Sequence, residues 1–331
     1  MLKVLELFGG IGACTAAIKR LNIPYEVVDY VEIDKYAVKS YNAMNDTNFE
    51  PQDITKWDKD IDVDLIIQGS PCQDFSLAGT QEGGDENSGT RSSLMYETVR
   101  IVNKLNPKYV VWENVKNVLS KTHKHNFDKY IKYLSDLGYN NYWKVLNAKD
   151  YGIPQNRERI FVVSIRKDID DKMFKFDELI ECVNNIESFL ENEDVVSHRY
   201  YGLTDLQRKM FTSDGNGIKR YVNSNVVDKF GLYQVADISF PNGYNKGPRV
   251  HDYCPTINNT TTKSSFIIKT SENPMVIRRF TVVEIWRLMG FNDEEIDKVL
   301  EVNTEAQMFK QAGNSIVVNV LEALLKELLL K

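Results

Sequence analysis

Four groups of residues have the types and spacings that chemistry requires. The first is a cysteine in Gly69-Ser70-Pro71-Cys72-Gln73-Asp74-Phe75-Ser76, surrounded by turn formers and polar residues and not by core. It follows an apolar run, 63–68, that reads as a strand stopped by glycine and proline. Open α/β sheets place their sites just past the carboxyl ends of such strands. Near a helix start or a cation the thiolate, which is the nucleophile, is favoured. The second is Glu113 in Trp112-Glu113-Asn114-Val115, at the end of the next strand, 109–113. Its carboxylate should emerge on the same edge, and the pair can attack one part of a ring while polarising another. The third is Gln155-Asn156-Arg157-Glu158-Arg159. Alternation puts 155, 157 and 159 on one face, an amide and two guanidiniums able to clamp a nucleotide or its phosphate. A solvated strand end is the plainer alternative.

A fourth group is Glu6-Leu7-Phe8-Gly9-Gly10-Ile11-Gly12, between a strand and a helix. Such glycines let a ligand approach the backbone closely, but serve a tight core turn equally well. The second strand sharpens the reading, because it ends in Glu32, roughly 20 residues past the loop, where a carboxylate can accept two ribose hydroxyls, with ordinary capping and solvation as the alternative for the acids. Ile33 can then lie against an adenine, and Asp53 can accept from its amino group. Glu6 at the loop's start suits a cationic ligand better than a pyrophosphate, which favours S-adenosylmethionine over a nicotinamide dinucleotide. The G-x-G-x-x-G spacing of the latter is also absent.

The elements that must position these residues alternate. Strands are expected at 4–8, 27–33, a short one ending at 53–54, then 63–68, 109–113, 142–146 and 159–164. Helices are expected at 13–21, 35–44, 94–105 and 126–137, so the sheet is largely parallel with helices on both faces. From about 168 to 273 the rhythm fails. That stretch reads as loops and strands with some helix at 203–211 and turns at Gly215, Gly217, 241–243 and 247–248. Helices resume at 281–289, 294–299 and 316–330. The last of these has a continuous apolar side that must pack on the sheet domain, so the irregular region is an insertion.

With 331 residues, a net charge of -6 and 42% hydrophobic residues, the chain can bury a sizeable core, and disorder, coiled coil and collagen are excluded. No run approaches about 18 apolar residues, so no membrane span is expected. Met1 leads directly into a strand pattern without a signal sequence, and an intracellular, cytoplasmic setting is expected. Cysteines 14, 72, 182 and 254 make neither a disulfide framework nor a zinc pattern. His123, His125, His198 and His251 make no site, and His123 and His125 read as a solvated loop.

The blocks ELFGGIG, SPCQDFS, WENV, QNRER and QAGNS resemble, in order, those of the DNA (cytosine-5) methyltransferases. So does Arg278-Arg279-Phe280-Thr281 followed by Glu284, Arg287-Leu288 and Gly290-Phe291. The resemblance covers 1–168 and 277–320. It implies an α/β S-adenosylmethionine-dependent methyltransferase fold, a Rossmann-like, mostly parallel sheet with helices on both faces, plus a small inserted target-recognition domain. The expected boundaries are 1–169 and 277–331 for the catalytic domain and 170–276 for the insertion.

By the same resemblance Cys72 is the nucleophile, Glu113 the acid, and Arg159 with Arg157 the motif arginines. Phe8, Gly10, Gly12, Glu32, Ile33, Asp53, Ile54 and Asn314 correspond to cofactor-pocket residues. Gln73, Ser76, Arg91, Asn114, Gln155 and Thr256 correspond to supporting or substrate-binding residues, with Thr256-Ile257 bracing the recognition loops. Ser70 stands where phenylalanine is frequent. Val283 replaces an arginine common before Glu284, which is expected to remove a scaffold ion pair.

The implied reaction moves a methyl group from S-adenosylmethionine to C5 of a flipped cytosine in a short, specific duplex DNA sequence, through a cysteine–C6 adduct and without a metal. S-adenosylhomocysteine is the product. The implied protein is a monomeric prokaryotic or phage modification enzyme, and any cognate restriction endonuclease is encoded separately. The alternatives are a transfer-RNA cytosine-5 methyltransferase and a silent nucleic-acid-binding homologue. Against the first, neither Cys182-Val183-Asn184 nor Cys254-Pro255-Thr256 is the Cys-Phe-Thr block of that branch; against the second, Cys72, Glu113 and Arg159 are intact. Candidates for reading bases or phosphates are Arg199, Asn216, Arg220, Asn242, Asn245, Lys246, Arg249 and Lys263.

Overall fold

The computed structural model describes residues 1–75, 83–176, 185–201, 231–237, 249–258, 266–272 and 275–330. Ser76, Cys182, the helix expected at 203–211 and the turns expected at Gly215, Gly217, 241–243 and 247–248 lie outside the described residues. So do Asn216, Arg220, Asn242, Asn245, Lys246 and Lys263.

Six strands form the main sheet: β1 (Leu2–Leu7), β2 (Tyr25–Val31), β3 (Leu65–Gln68), β4 (Tyr109–Val115), β5 (Tyr139–Asn147) and, after the two-residue β6 (Gln155–Asn156), β7 (Glu158–Arg166). Their order is β2-β1-β3-β4-β7-β5. Pairing is parallel from β2 through β4, whereas β7 runs antiparallel to both neighbours. Because the order reverses at β1 and β3, a crevice opens between their carboxyl ends, the usual ligand position in such sheets.

Alternation divides the strands cleanly between two cores. Val4, Leu65, Val111, Phe161 and Val163 face the side covered by α1 (Ala13–Arg20) and the C-terminal helix. Leu5, Leu7, Ile66, Val110, Trp112 and Val162 face the side of α3 (Met95–Leu105) and α4 (Lys124–Asp136). The remaining helix before β3 is α2 (Lys35–Asn45), capped by the Asp34 carboxylate on Tyr36 N.

The short strand expected to end at 53–54 is instead a 3-10 turn, Ile54–Lys56. Asp53 causes this, since its side chain caps the Thr55 amide and turns the chain. Phe8, expected inside the first strand, lies beyond it with φ 52°.

A second, antiparallel sheet has the order β12-β11-β8-β9, from β8 (Val235–Asp237), β9 (Arg249–His251), β11 (Phe266–Glu272) and β12 (Met275–Arg279). The pair β10 (Cys254–Pro255) and β6 joins this region to the first by a short parallel bridge. Four helices follow: α5 (Val282–Arg287), α6 (Asp293–Leu300), α7 (Glu305–Asn314) and α8 (Val318–Leu329). The apolar side of α8 packs against α1, as its periodicity requires. Val283 does not leave Glu284 without a partner, because the fully buried Arg278 donates to both of its carboxylate oxygens at 2.9 and 2.7 Å.

Candidate active site

The glycine loop after β1 is shaped by two stacked tyrosines, Tyr30 and Tyr41, with ring centroids 3.9 Å apart. A Cβ at Gly9 would meet Tyr30 at 2.6 Å, and one at Gly12, which has φ 81°, would meet Tyr41 at 2.6 Å. Only glycine fits so close an approach. Over this floor Phe8 turns out of the strand with a positive φ, and such departures concentrate at functional loops.

Glu6 does not point at a ligand. It is buried beneath the loop and accepts from the Thr15 and Tyr41 hydroxyls, and burial raises its carboxyl to about 7. The argument from Glu6 to a cationic ligand therefore fails: its partners lie in the core.

Glu32 does face the crevice. Its two oxygens accept from Gly10 N at 3.1 Å and Asp34 N at 2.7 Å, leaving each a further lone pair. Burial raises its carboxyl above the usual range. Ile33 beside it is 64% exposed, an apolar surface open to a planar ring. Gln52 N bonds Glu32 O at 2.8 Å and so brings Asp53 to the same edge. The Asp53 carboxylate also bonds Thr55 and stays ionised, held below its usual range by that hydroxyl. Ile54 is buried, and Asn314 is exposed at the end of α7. Glu32, Ile33, Asp53 and the Gly10 loop thus offer a hydroxyl acceptor, an apolar face and an amino acceptor along one edge, which fits an adenosine.

Cys72 follows β3 in a half-buried turn closed by the Phe75 N–Cys72 O bond of 3.1 Å. Glu113, near the end of β4, is 8% exposed, and Arg159 Nε lies 3.2 Å from its Oε1. A Cβ at Gly69 would lie 3.8 Å from Glu113 Oε2, so the carboxyl abuts the main chain that leads to Cys72. Burial raises the Glu113 carboxyl, as an acid in such a site requires, against the pull of Arg159 and Arg157. The thiol is also raised, by burial and then by Glu113, with the two arginines opposing. The nearby cations do favour the thiolate, as expected, but desolvation and Glu113 outweigh them.

The structure separates the two arginines and reassigns Gln155. Arg157 is 3% exposed, and its guanidinium donates to Ile257 O at 2.6 Å, Gly313 O at 3.1 Å and Ser315 O at 2.6 Å. Burial lowers it to about 9. It ties three segments together, and only its charge reaches Cys72. Gln155, expected at the substrate, is fully buried and braces the bridge, donating to Leu288 O and accepting from Ile257 N. Residues 155, 157 and 159 do not share one open face, because the chain breaks between β6 and β7. Thr256 bonds Asn156 O at 2.7 Å in the same bridge.

Asn114 is buried and donates to Ser70 O and Oγ, both at 3.3 Å, while Trp112 Nε1 donates to the same hydroxyl at 3.0 Å. Ser70 thus replaces an aromatic wall with a polar link between the ends of β3 and β4. Gln73 is half-buried in the Cys72 turn and Arg91 is exposed at the start of a 3-10 turn.

His123 is buried, not solvated: its ring meets Phe75 edge-on at 5.3 Å, and burial lowers its pKa. Sequence spacing gave no signal for it or for the Ser70 link, since both depend on packing. Arg199, a base-reading candidate, pairs with Glu305. Among the described residues no group of three or more His, Cys, Asp and Glu side chains forms a metal-type cluster. Nor is any helix there long and apolar enough to cross a membrane.

The chain matches the C-5 cytosine-specific DNA methylase family over residues 2–330. It is 32% identical to the type II methyltransferase M2.ScrFI of Lactococcus lactis subsp. cremoris over 99% of both chains. It is 31% identical to the type II methyltransferase M.HhaI of Haemophilus parahaemolyticus over 97% of this chain and 92% of that one. Among solved structures, the Spodoptera frugiperda DNMT2 mutant superposes with a TM-score of 0.71 at 19% identity, covering 99% of each chain, a likeness of fold. The chain belongs to the C-5 cytosine-specific DNA methylases and is an S-adenosylmethionine-dependent, DNA-binding cytosine-C5 methyltransferase.

Proposed function

We propose that this protein methylates one cytosine in a short, specific duplex DNA sequence through a covalent adduct with Cys72. The observation that carries the reading is the meeting of Cys72, Glu113 and Arg159 at the ends of three adjacent strands, with Arg159 Nε 3.2 Å from Glu113. Cytosine C5 is a poor nucleophile, so the ring needs activation. The Cys72 thiolate adds to C6 while Glu113, holding a proton in its buried pocket, donates to N3 and neutralises the ring. Protonation of Glu113 also removes the negative charge that opposes the thiolate, so the two sites favour one proton shared between them.

Arg159 steadies the base and the carboxyl, and Arg157 holds the segments around them. S-adenosylmethionine, when bound against Glu32, Ile33, Asp53 and the Gly10 loop, supplies the electrophilic methyl group. C5 takes that methyl group with release of S-adenosylhomocysteine, solvent water accepts the C5 proton, and elimination returns the Cys72 thiolate while N3 gives its proton back to Glu113. A stacked base is out of reach of the thiol, so the cytosine is extruded from the duplex.

Residues 1–169 and 277–331 form the catalytic domain and 170–276 the target-recognition domain on this reading. Relatives named type II methyltransferase, as well as the orphan methyltransferase M.SPRI of Bacillus phage SPR, support a modification enzyme; on this reading it acts as a monomer, with or without a separate endonuclease. The test is a duplex carrying 5-fluorocytosine. Wild type should form a cofactor-dependent covalent adduct, whereas Cys72→Ala should form none and lose turnover. Bisulfite sequencing of host DNA should show one methylated sequence context. Turnover by Cys72→Ala would overturn the covalent route, and methylation of transfer RNA but not DNA would overturn the substrate.

A further inference from the structure

We propose that Asp74 and Ser92 are positioning residues for the thiol, a reciprocal buried pair that fixes the turn carrying Cys72. The inference rests on Cys72 being the nucleophile. β3 ends at Gln68, so the sheet ladder does not hold residues 69–75. The main-chain bond from Phe75 N to Cys72 O closes the turn on itself without attaching it to its surroundings.

Asn114 and Trp112 bond Ser70 ahead of the cysteine and Asn117 Nδ2 donates to Phe75 O at 2.6 Å behind it; between them, Asp74 attaches the turn by main chain and side chain together. Its amide donates to Ser92 Oγ at 3.1 Å, its carboxylate accepts from Ser92 N at 2.8 Å, and its carbonyl accepts from Gly83 N at 3.0 Å. Asp74 is 7% exposed and Ser92 fully buried. A buried carboxylate is costly unless it is well hydrogen-bonded, so the pair is not a surface accident. Ser92 lies in the 3-10 turn Arg91–Leu94, which runs directly into α3, whose first residue, Met95, is fully buried. The Cys72 turn is therefore fastened to a packed helix. Phe75 reinforces the anchor: it is fully buried against His123, and a Cβ at Gly84 would meet its ring at 2.3 Å.

Releasing one end of this pair lets the thiol, two residues away, shift relative to Glu113. Misplacement of about 1 Å can cost roughly a hundredfold in rate. Asp74→Ala should lower kcat and the rate of 5-fluorocytosine adduct formation by about tenfold to a hundredfold, with the Kd for S-adenosylmethionine within twofold of wild type. Asp74→Asn keeps an acceptor for Ser92 N and should recover most of the loss, which a general loosening of the fold would not allow. Ser92→Ala removes only the hydroxyl bond, keeps the volume of the site, and should give a smaller loss in kcat. It also serves if Asp74→Ala fails to fold. The double variant should be no worse than Asp74→Ala, since both changes break one unit.

A kcat within twofold of wild type in folded Asp74→Ala or Ser92→Ala would overturn the inference. So would a loss that Asp74→Asn shares in full. Cys72→Ala, measured alongside, separates the two claims. If it is inactive while the Asp74 and Ser92 variants are normal, only the positioning role falls; if it turns over, the nucleophile assignment falls and takes this inference with it.

Discussion

At the ends of β1 and β2, main chain holds the groups that face the crevice: Glu32 is braced by the Gly10 and Asp34 amides, and the glycine loop rests on Tyr30 and Tyr41. At the ends of β3, β4 and β7 the groups are held against one another. Arg159 pairs with Glu113, and both arginines and Glu113 act on the Cys72 thiol. A site built on backbone binds a ligand in one geometry and tolerates changes of charge nearby. A site built from mutually perturbing charges changes its proton affinities whenever one member is altered. The first half is suited to holding a cofactor, and the second to moving a proton during reaction.

The strongest way to break this comparison is to exchange one carboxyl in each half. Glu113→Gln should lower the rate of the chemical step by about 10²- to 10⁴-fold, the usual worth of a positioned acid, while calorimetry finds S-adenosylmethionine bound normally. Glu32→Ala should weaken cofactor binding by roughly 1–3 kcal/mol, as expected when a charged acceptor is lost, with single-turnover rates at saturating cofactor close to wild type. Equal losses of cofactor affinity in the two variants would mean that the halves are not separate.

A smaller effect sharpens the contrast between the two arginines. Arg157→Ala removes the partner of three carbonyls, the buried ones of Ile257 and Ser315 and the half-buried one of Gly313, and should destabilise the protein by about 3 kcal/mol in thermal unfolding. Arg159→Ala should cost less stability than Arg157→Ala, because Glu113 can take up a proton when its partner is removed, yet lose more activity per folded molecule. If the two variants melted together, the division of labour between these neighbours would be wrong.

The alternating strand and helix pattern made the two-faced sheet legible in the sequence, because burial on both faces imposes it residue by residue. Cys72, Glu113 and Glu32 were legible because they stand at strand ends, where side chains leave the core for the crevice. The reversal of β7 was not: an apolar run reads the same in either direction, and only its pairing register with β4 and β5 shows it. Arg157 and Gln155 misled for a related reason. Strand alternation placed them with Arg159, but the break between β6 and β7 turns them inward to carbonyls and amides 100 or more residues away, which no local pattern records. His123 was misread because its polarity suggested solvent, while its contact with Phe75 depends on tertiary packing. Glu6 misled because a carboxylate beside a glycine loop looks the same in sequence whether it faces the ligand or the core.

The finest test reads the charges themselves. Alkylation of Cys72 by iodoacetamide reports the thiolate, so its rate against pH gives the ionisation of the thiol in the free protein. The midpoint should lie above the ordinary cysteine range, since burial and the Glu113 charge both disfavour the thiolate and together outweigh the arginines. The thiolate fraction grows as pH rises. Removing a negative neighbour must therefore move the midpoint down, and removing a positive one must move it up. Arg159→Ala should raise it. Glu113→Gln should lower it if the carboxyl is ionised where the thiol titrates, and leave it unmoved if the carboxyl still holds its proton there. Burial raises the Glu113 carboxyl, so the size of this change measures how far the two titrations overlap. Glu32→Ala, in the backbone-held half, should leave the midpoint where it was. A shift in Glu32→Ala as large as that in Arg159→Ala would erase the distinction between the halves, because it would make the cofactor edge part of the same charge network.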